Sequence, residues 1–271
     1  MKRLKVYANF EEALDPVIMI DSDKEVEVII DYLIPYEINK PKSPDTIRFV
    51  ATIQPEGHFN DLIKKYEYNY DYLLTFIPEL MSLSKAKFFI ATTAFCKPDL
   101  MIPKEFGVSA VFSSRNCLPG HALRHELWRR QDEITIPKYF YAGSRSGMTG
   151  SLVLGSDKAA KQEVMRTMYH IAIDSYSYHG SMSEKLIDPL ITNTIPIYWG
   201  ADVSSFFNME GIFQCANVDE IIKVCNSLRE ADYYHTGRKF ARLENYATSL
   251  EYHNYADCLQ RKIQQICEHL K

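Results

Sequence analysis

Glu184 and Lys185 adjoin at the predicted first turn of a helix, behind Ser183 and ahead of an apolar run that ends at Gly200. A lysine in that place suits an anion, because a helix N-terminus adds unpaired N–H donors and partial positive charge beside the ammonium. Arg124, upstream, offers a bidentate guanidinium fork to the same kind of oxygen, and Glu184 offers acceptors to a ribose or a base. Taken alone, a Glu–Lys dipeptide is ordinarily a solvated first-turn pair, and its spacing carries no more than that.

His121 and His125 stand four residues apart on the helix that carries Arg124, the spacing of two metal ligands on one face. No third ligand lies in an obvious place, so no metal site is expected; His121 is placed beside the ligand pocket by its neighbour Arg124. The glycine-rich stretch 143–150, GSRSGMTG, lacks the lysine and spacing of a P-loop; a loop that closes over a ligand and a plain surface connection are both readings of it. The six cysteines, Cys96, Cys117, Cys215, Cys225, Cys258 and Cys267, show no CxxC pair and no zinc-type spacing with histidine. They read as buried free thiols in a reducing compartment.

These residues need a scaffold, and 271 residues suffice for one large domain or two of about 100 to 150 each. A hydrophobic fraction of 46% supports a sizeable core. A net charge of −4 gives no overall case for nucleic acid, so phosphate recognition must be local. The N-terminal stretch 1–10 has no apolar core of signal-peptide length, and no segment reaches the ~20 apolar residues that cross a bilayer. A soluble, cytoplasmic protein of bacterial or viral type is the expectation.

Strands are predicted at 4–8, 25–34, 46–53, 70–76 and 87–92, where β-branched and aromatic residues gather in short apolar runs. A short helix at 58–66 and a helical connection at 78–84 alternate with them, which indicates βαβ organisation. The proline-bearing stretch 35–44 reads as a loop. The turn Gln54-Pro55-Glu56-Gly57 follows a strand of the buried parallel kind, and open α/β sheets place ligands beyond the carboxyl ends of such strands. The pattern restarts with strands at 108–114, 137–140, 169–173 and 195–199 and helices at 121–131, 157–168, 184–192 and 218–228, the last capped by Asn217. The expected division is one α/β domain over 1–105 and a second over 106–271. A terminal helix within 250–270, with Leu259, Ile263, Ile266 and Leu270 at helical spacing, is a candidate to cross back. Two such halves suggest a cleft, and nucleotide-sugar enzymes are one common occupant of it.

The stretch YHIAIDSYSYHGSMSEKLIDPLITNTIPIYWGADVSSFF resembles the signature of the α-1,3-fucosyltransferases of glycosyltransferase family 10. That signature runs from a strand ending in Glu-Asn-Ser or similar, through Thr-Glu-Lys and a helix, to a Thr-hydrophobic-Pro-hydrophobic strand ending in Gly. Upstream, FSSRNCLPGHALRHELWRR is similar to the family's Ser-Asn-x-Asn…Arg-x-x-hydrophobic segment. The likeness covers about residues 108 to 230, and more faintly 46 to 92.

The resemblance implies an α/β protein of GT-B type, two Rossmann-like domains facing each other across a cleft, with 1–105 on the acceptor side and 106–271 binding the nucleotide-sugar donor. It implies inverting transfer from a nucleotide sugar, typically GDP-fucose, to an acceptor glycan or glycoconjugate, with no metal needed for the chemistry. Arg124 falls on the family's diphosphate-binding arginine, Lys185 on its phosphate-binding lysine and Glu184 on the acidic donor-binding residue. Asn116 and His121 lie in the upstream donor segment. Tyr198 and Gly200 match the strand end and read as structural. Asp174 and Ser175 stand where relatives commonly have Glu and Asn, and a shorter carboxylate moves its contacts. The family's catalytic carboxylate follows an N-terminal strand, here at the 54–57 turn; the amide of Gln54 cannot take a proton, so Glu56 is the expected base, with Asp61 and Asp71 behind it. An exostosin-like transferase with another donor, or a non-catalytic nucleotide- or glycan-binding module, are the alternatives.

Overall fold

The computed structural model describes residues 1–8, 18–53, 57–143, 148, 152–155, 158–178 and 180–270. The chain divides into two compact units, one made of Met1–Thr93, Tyr178–Ser181 and Asn254–Lys271, the other of Ala94–Ser177 and Met182–His253.

In the first unit β1 (Lys2–Arg3), β2 (Lys5–Tyr7), β3 (Met19–Ile20), β4 (Glu25–Ile30), β5 (Thr46–Ala51), β6 (Tyr72–Thr75) and β7 (Ala86–Phe88) are interleaved with α1 (Ile34–Glu37) and α2 (Asn60–Lys65). The five strands β2-β4-β5-β6-β7 form a sheet in chain order, all parallel, and β1 pairs with β3 antiparallel. Continuous apolar runs suit such a sheet, since both faces are covered: Ile47, Phe49, Val50 and Ala51 of β5 are all buried. The register between β4 and β5 sets Glu27 opposite Arg48, and the Arg48 Nε donates to Glu27 Oε1 at 2.6 Å. A slip of one residue would turn this buried pair to the other face. The predicted strand 25–34 stops at Ile30, because Asp31 takes φ +37° and the chain then turns into α1 with Pro35 in its first turn. The C-terminal helix Tyr255–Glu268, capped by the Asn254 side chain, puts Leu259, Ile263 and Ile266 into this unit's core beside Ile18, Ile20 and Val28.

The second unit carries β8 (Glu105–Phe112), α3 (Pro119–Arg129), β9 (Lys138–Gly143), β10 (Leu152–Leu154), α4 (Lys158–Val164), β11 (Thr167–Ile173), α5 (Glu184–Leu190), β12 (Ile195–Trp199), β13 (Phe213–Gln214), α6 (Val218–Ser227), α7 (Glu230–Tyr234) and α8 (Thr236–Ser249). Its sheet runs β10-β9-β8-β11-β12-β13, every pair parallel. Counted within the unit this is the doubly wound order 3-2-1-4-5-6, which reverses direction between β8 and β11. Ligands of such sheets bind at that reversal, beyond the carboxyl ends of the strands.

The boundary expected near residue 105 falls earlier, between Thr93 and Ala94. Residues 94–104 belong to the second unit because their backbone is bonded there: the N–H groups of Phe95 and Cys96 donate to Asp188 Oδ1 at 2.8 and 2.9 Å, and Asp99 N donates to Ile191 O. Among the described residues no helix is long and apolar enough to cross a membrane.

Candidate functional site

The carboxyl ends of β8 and β11 open onto a pocket of about 110 Å³. Ala110 to Ser113 and His170, Ile171 and Ile173 line it from the strands; Arg124 and Leu127 come from α3, Lys161 from α4, and Glu184 and Lys185 from α5. It lies where the doubly wound order predicts a ligand, and it gathers Arg124, Glu184 and Lys185 from positions 60 residues apart in sequence.

Local chemistry explains why α5 starts where it does. Ser183 is its N-cap, with extended backbone and a hydroxyl that accepts from Lys185 N at 3.2 Å. The same hydroxyl donates to Asp174 Oδ1, and Tyr198 donates to Asp174 Oδ2 at 2.7 Å. Asp174, at the end of β11 and buried, therefore ties the cap of α5 to β12. Burial pushes its carboxyl up, while Lys185 and the bonds from Ser183 and Tyr198 oppose the shift. Asp174, which the resemblance places at the donor, accepts one scaffold bond at each oxygen. Replacing Tyr198 by phenylalanine is expected to destabilise the protein by roughly 1–3 kcal/mol, because a buried carboxylate oxygen loses its donor. Thermal denaturation of the variant reads this out, and an unchanged midpoint would show that the anchor carries no weight.

Two glycines make these close approaches possible. A Cβ on Gly120 would lie 1.7 Å from Asp174 O, so only glycine lets α3 start against the end of β11. A Cβ on Gly200 would lie 2.1 Å from the Tyr198 hydroxyl, which places the strand-ending glycine in the service of the Tyr198–Asp174 bond.

Arg124 is buried with its Nε donating to Gly120 O at 3.2 Å and a terminal nitrogen 3.5 Å from Ser175 Oγ. Burial lowers its pKa, Asp174 and Glu184 oppose that, and a guanidinium stays charged regardless. Lys185 Nζ donates to Glu184 Oε1 at 2.7 Å, both side chains being half-buried. Burial alone would raise the Glu184 pKa, but Lys185 and Lys161 bring it below the usual carboxylate range. His121 is buried, and its Nδ1 accepts from Cys117 N at 3.3 Å. Burial, then Arg124, Arg115 and Lys185, press its pKa to about 4. At neutral pH it is an uncharged ring with its proton on Nε2, a donor that adds no charge. His125 instead bonds the Arg115 carbonyl at 3.0 Å, so the two histidines do not act as a pair. Asn116 is exposed on the loop before α3.

Lys161 and His170 were not singled out by sequence reasoning, since neither sits in a motif. His170, buried, has Nδ1 2.8 Å from Ser109 Oγ, and burial followed by Lys161 and Lys104 pushes its pKa to about 3. Glu56, Gln54 and the stretches 144–147 and 149–151 lie outside the described residues. Asp61 is exposed in the first turn of α2. Asp71 accepts from Lys42 Nζ at 2.7 Å and from Arg48 N at 2.8 Å just before β6, which puts it at the amino end of the sheet, the wrong end for a ligand. All six cysteines are free, Cys117 alone exposed.

The two parallel sheets, the second of them doubly wound, define an α/β fold of the GT-B type. Solved structures share it. An α1,3-fucosyltransferase with GDP-fucose aligns over 96% of this chain and 95% of its own, with a TM-score of 0.52 and 16% identity. The α1,3-fucosyltransferase structure with GDP gives 0.50 and 17% over 96% and 94%. A variant of S. aureus TarM, in complex with UDP and other ligands, gives 0.57 and 10% over 89% of this chain and 55% of that one. At these identities the likeness is one of fold. No protein-family model matches the sequence, and no curated protein matches it.

Proposed function

We propose that the protein is an inverting glycosyltransferase that moves a sugar, fucose from GDP-fucose in the first instance, to a hydroxyl of an acceptor glycan or glycoconjugate. The observation that carries this reading is the convergence of Arg124, Lys185 and Glu184 on one pocket at the sheet's reversal point. The family 10 resemblance of residues 108 to 230 supports it independently, and the fold is compatible with it.

In this reading the acceptor hydroxyl gives its proton to the Glu56 carboxylate as its oxygen attacks the anomeric carbon. The bond from that carbon to the phosphate oxygen breaks, and its electron pair leaves with the nucleoside diphosphate, which gains a negative charge. Arg124 and Lys185 stabilise that charge as it develops, which is where an electrostatic contribution accelerates the step. Glu184, held below the usual carboxylate range, accepts from the ribose or base while pairing with Lys185. His121 donates from Nε2 without adding charge, Ser175 holds Arg124, and Asp174 holds the cap of α5. Asn116, exposed before α3, is free to meet the nucleotide as it enters.

Incubating the protein with GDP-fucose and a panel of glycan acceptors, and reading the product's anomeric configuration by NMR, tests the proposal. Inversion of the donor's configuration is expected. Retention would reject the single-displacement scheme, and transfer from UDP-sugars alone would move the donor to the exostosin-like alternative.

A further inference from the structure

Lys161 lies on α4, and nothing in the resemblance assigns it a role. Its side chain is mostly covered and lines the same pocket as Arg124 and Lys185. The nearest carboxylate oxygen, Asp188 Oδ2, is 3.9 Å from its Nζ, a charge contact too long for a hydrogen bond. The centroid of the Phe95 ring lies 5.3 Å from the ammonium. Lys161 thus differs from Lys185, which is hydrogen-bonded to Glu184 at 2.7 Å. Among the described residues it makes no hydrogen bond, so its three donors are available to a ligand.

Asp188 explains why the ammonium stays there. It is wholly buried, its Oδ1 accepts from Phe95 N and Cys96 N, and its Oδ2 has no hydrogen-bond partner. That second oxygen is left with only the Lys161 charge. Burial raises the Asp188 pKa to about 6, and Lys161 is the strongest influence in the other direction. The charges lining the pocket are three cations, Arg124, Lys161 and Lys185, against one carboxylate, Glu184. The histidine that also lines it, His170, is neutral at working pH. Three cations facing one lining carboxylate suit the pocket to an anion, and Lys161 is the one whose donors are not spent on a hydrogen bond among the described residues.

We propose that Lys161 is a third phosphate-binding cation of this pocket, anchored from behind by Asp188. The inference rests on the pocket being the site of a nucleoside diphosphate, and it adds a cation whose hydrogen-bond donors are unspent among the described residues.

Calorimetric titration of the full chain with GDP, UDP and the two nucleosides, for wild type, Lys161→Met, Lys161→Arg and Arg124→Ala, tests it. Lys161→Met is expected to weaken diphosphate binding about tenfold or more, to leave nucleoside binding within twofold, and to be largely rescued in Lys161→Arg. If Lys161→Met is unstable because Asp188 loses its counter-charge, the double variant Lys161→Met with Asp188→Asn removes both charges and must show the same selective loss. Diphosphate binding that falls in Arg124→Ala but holds within twofold in the Lys161 variants overturns this proposal alone. Failure of the wild type to bind either diphosphate overturns the reading of the pocket, and this inference with it.

Discussion

Replacing Lys185 by alanine is expected to lower turnover by about 10²–10³-fold, the usual cost of removing one preorganised donor from a site of developing negative charge. The fold should survive. The Lys185 side chain is partly exposed and its ion pair with Glu184 lies at the pocket surface, where such pairs contribute about 0–1 kcal/mol. The helix start depends on the backbone N–H of Lys185, which the Ser183 hydroxyl caps, and alanine keeps that group. The effect should fall more on kcat than on the dissociation constant of the donor, because the charge grows as the diphosphate departs. Near-normal turnover with any nucleotide sugar would remove Lys185 from the chemistry.

Glu56→Gln is expected to lower transfer by about 10²–10⁴-fold, the range of a lost general base, with nucleotide binding unchanged. An amide keeps the size of the side chain and cannot take the proton. A matching loss of nucleotide affinity would point to misfolding, and a circular dichroism melt separates the two. Unchanged transfer would pass the role to Asp61. Asp71 is no longer a candidate, because Lys42 and the Arg48 amide hold it at the amino end of the sheet.

The elements that carry the candidate site were legible where local chemistry and apolar pattern agreed. Asn217 accepts from Glu220 N at 2.9 Å at the start of α6, and Ile221, Ile222 and Cys225 are the buried face that periodicity predicted. Residues 46–53 contain β5, and 195–199 is β12. Helix α8 was missed for a physical reason. Its buried face is Ala241, Arg242, Asn245 and Ser249, held by polar bonds and not by an apolar stripe. The Arg242 guanidinium stacks 3.6 Å from the Tyr233 ring centroid and bonds Asn193 Oδ1 at 3.0 Å, while Asn245 exchanges bonds with the backbone of Asn208. Its buried face carries no large apolar side chain of the kind that marks α6. Strand order was hidden for a related reason: the reversal between β8 and β11 that creates the pocket is a property of pairing between distant segments, which no local pattern encodes.

The candidate site divides in the same way. Arg124, Glu184 and Lys185 were readable because a long motif holds them, and the structure gathers them at one pocket. Lys161 was not readable, since its partner Asp188 lies 27 residues away on another helix. The motif places Asp174 at the donor, and its bonds to Ser183 and Tyr198, which depend on the three-dimensional approach of α5 and β12, were not legible in it.

The pocket at the end of β8 and β11 is the proposed seat of the diphosphate of a nucleotide sugar. Calorimetric titration of wild type and Arg124→Ala with a panel of GDP- and UDP-sugars tests it most directly. One nucleotide sugar should bind the wild type at one per chain, and the variant should bind it at least about tenfold more weakly, since a buried bidentate charge is lost. Equal binding by wild type and variant, or no binding of any member of the panel, would place the diphosphate elsewhere or rule it out.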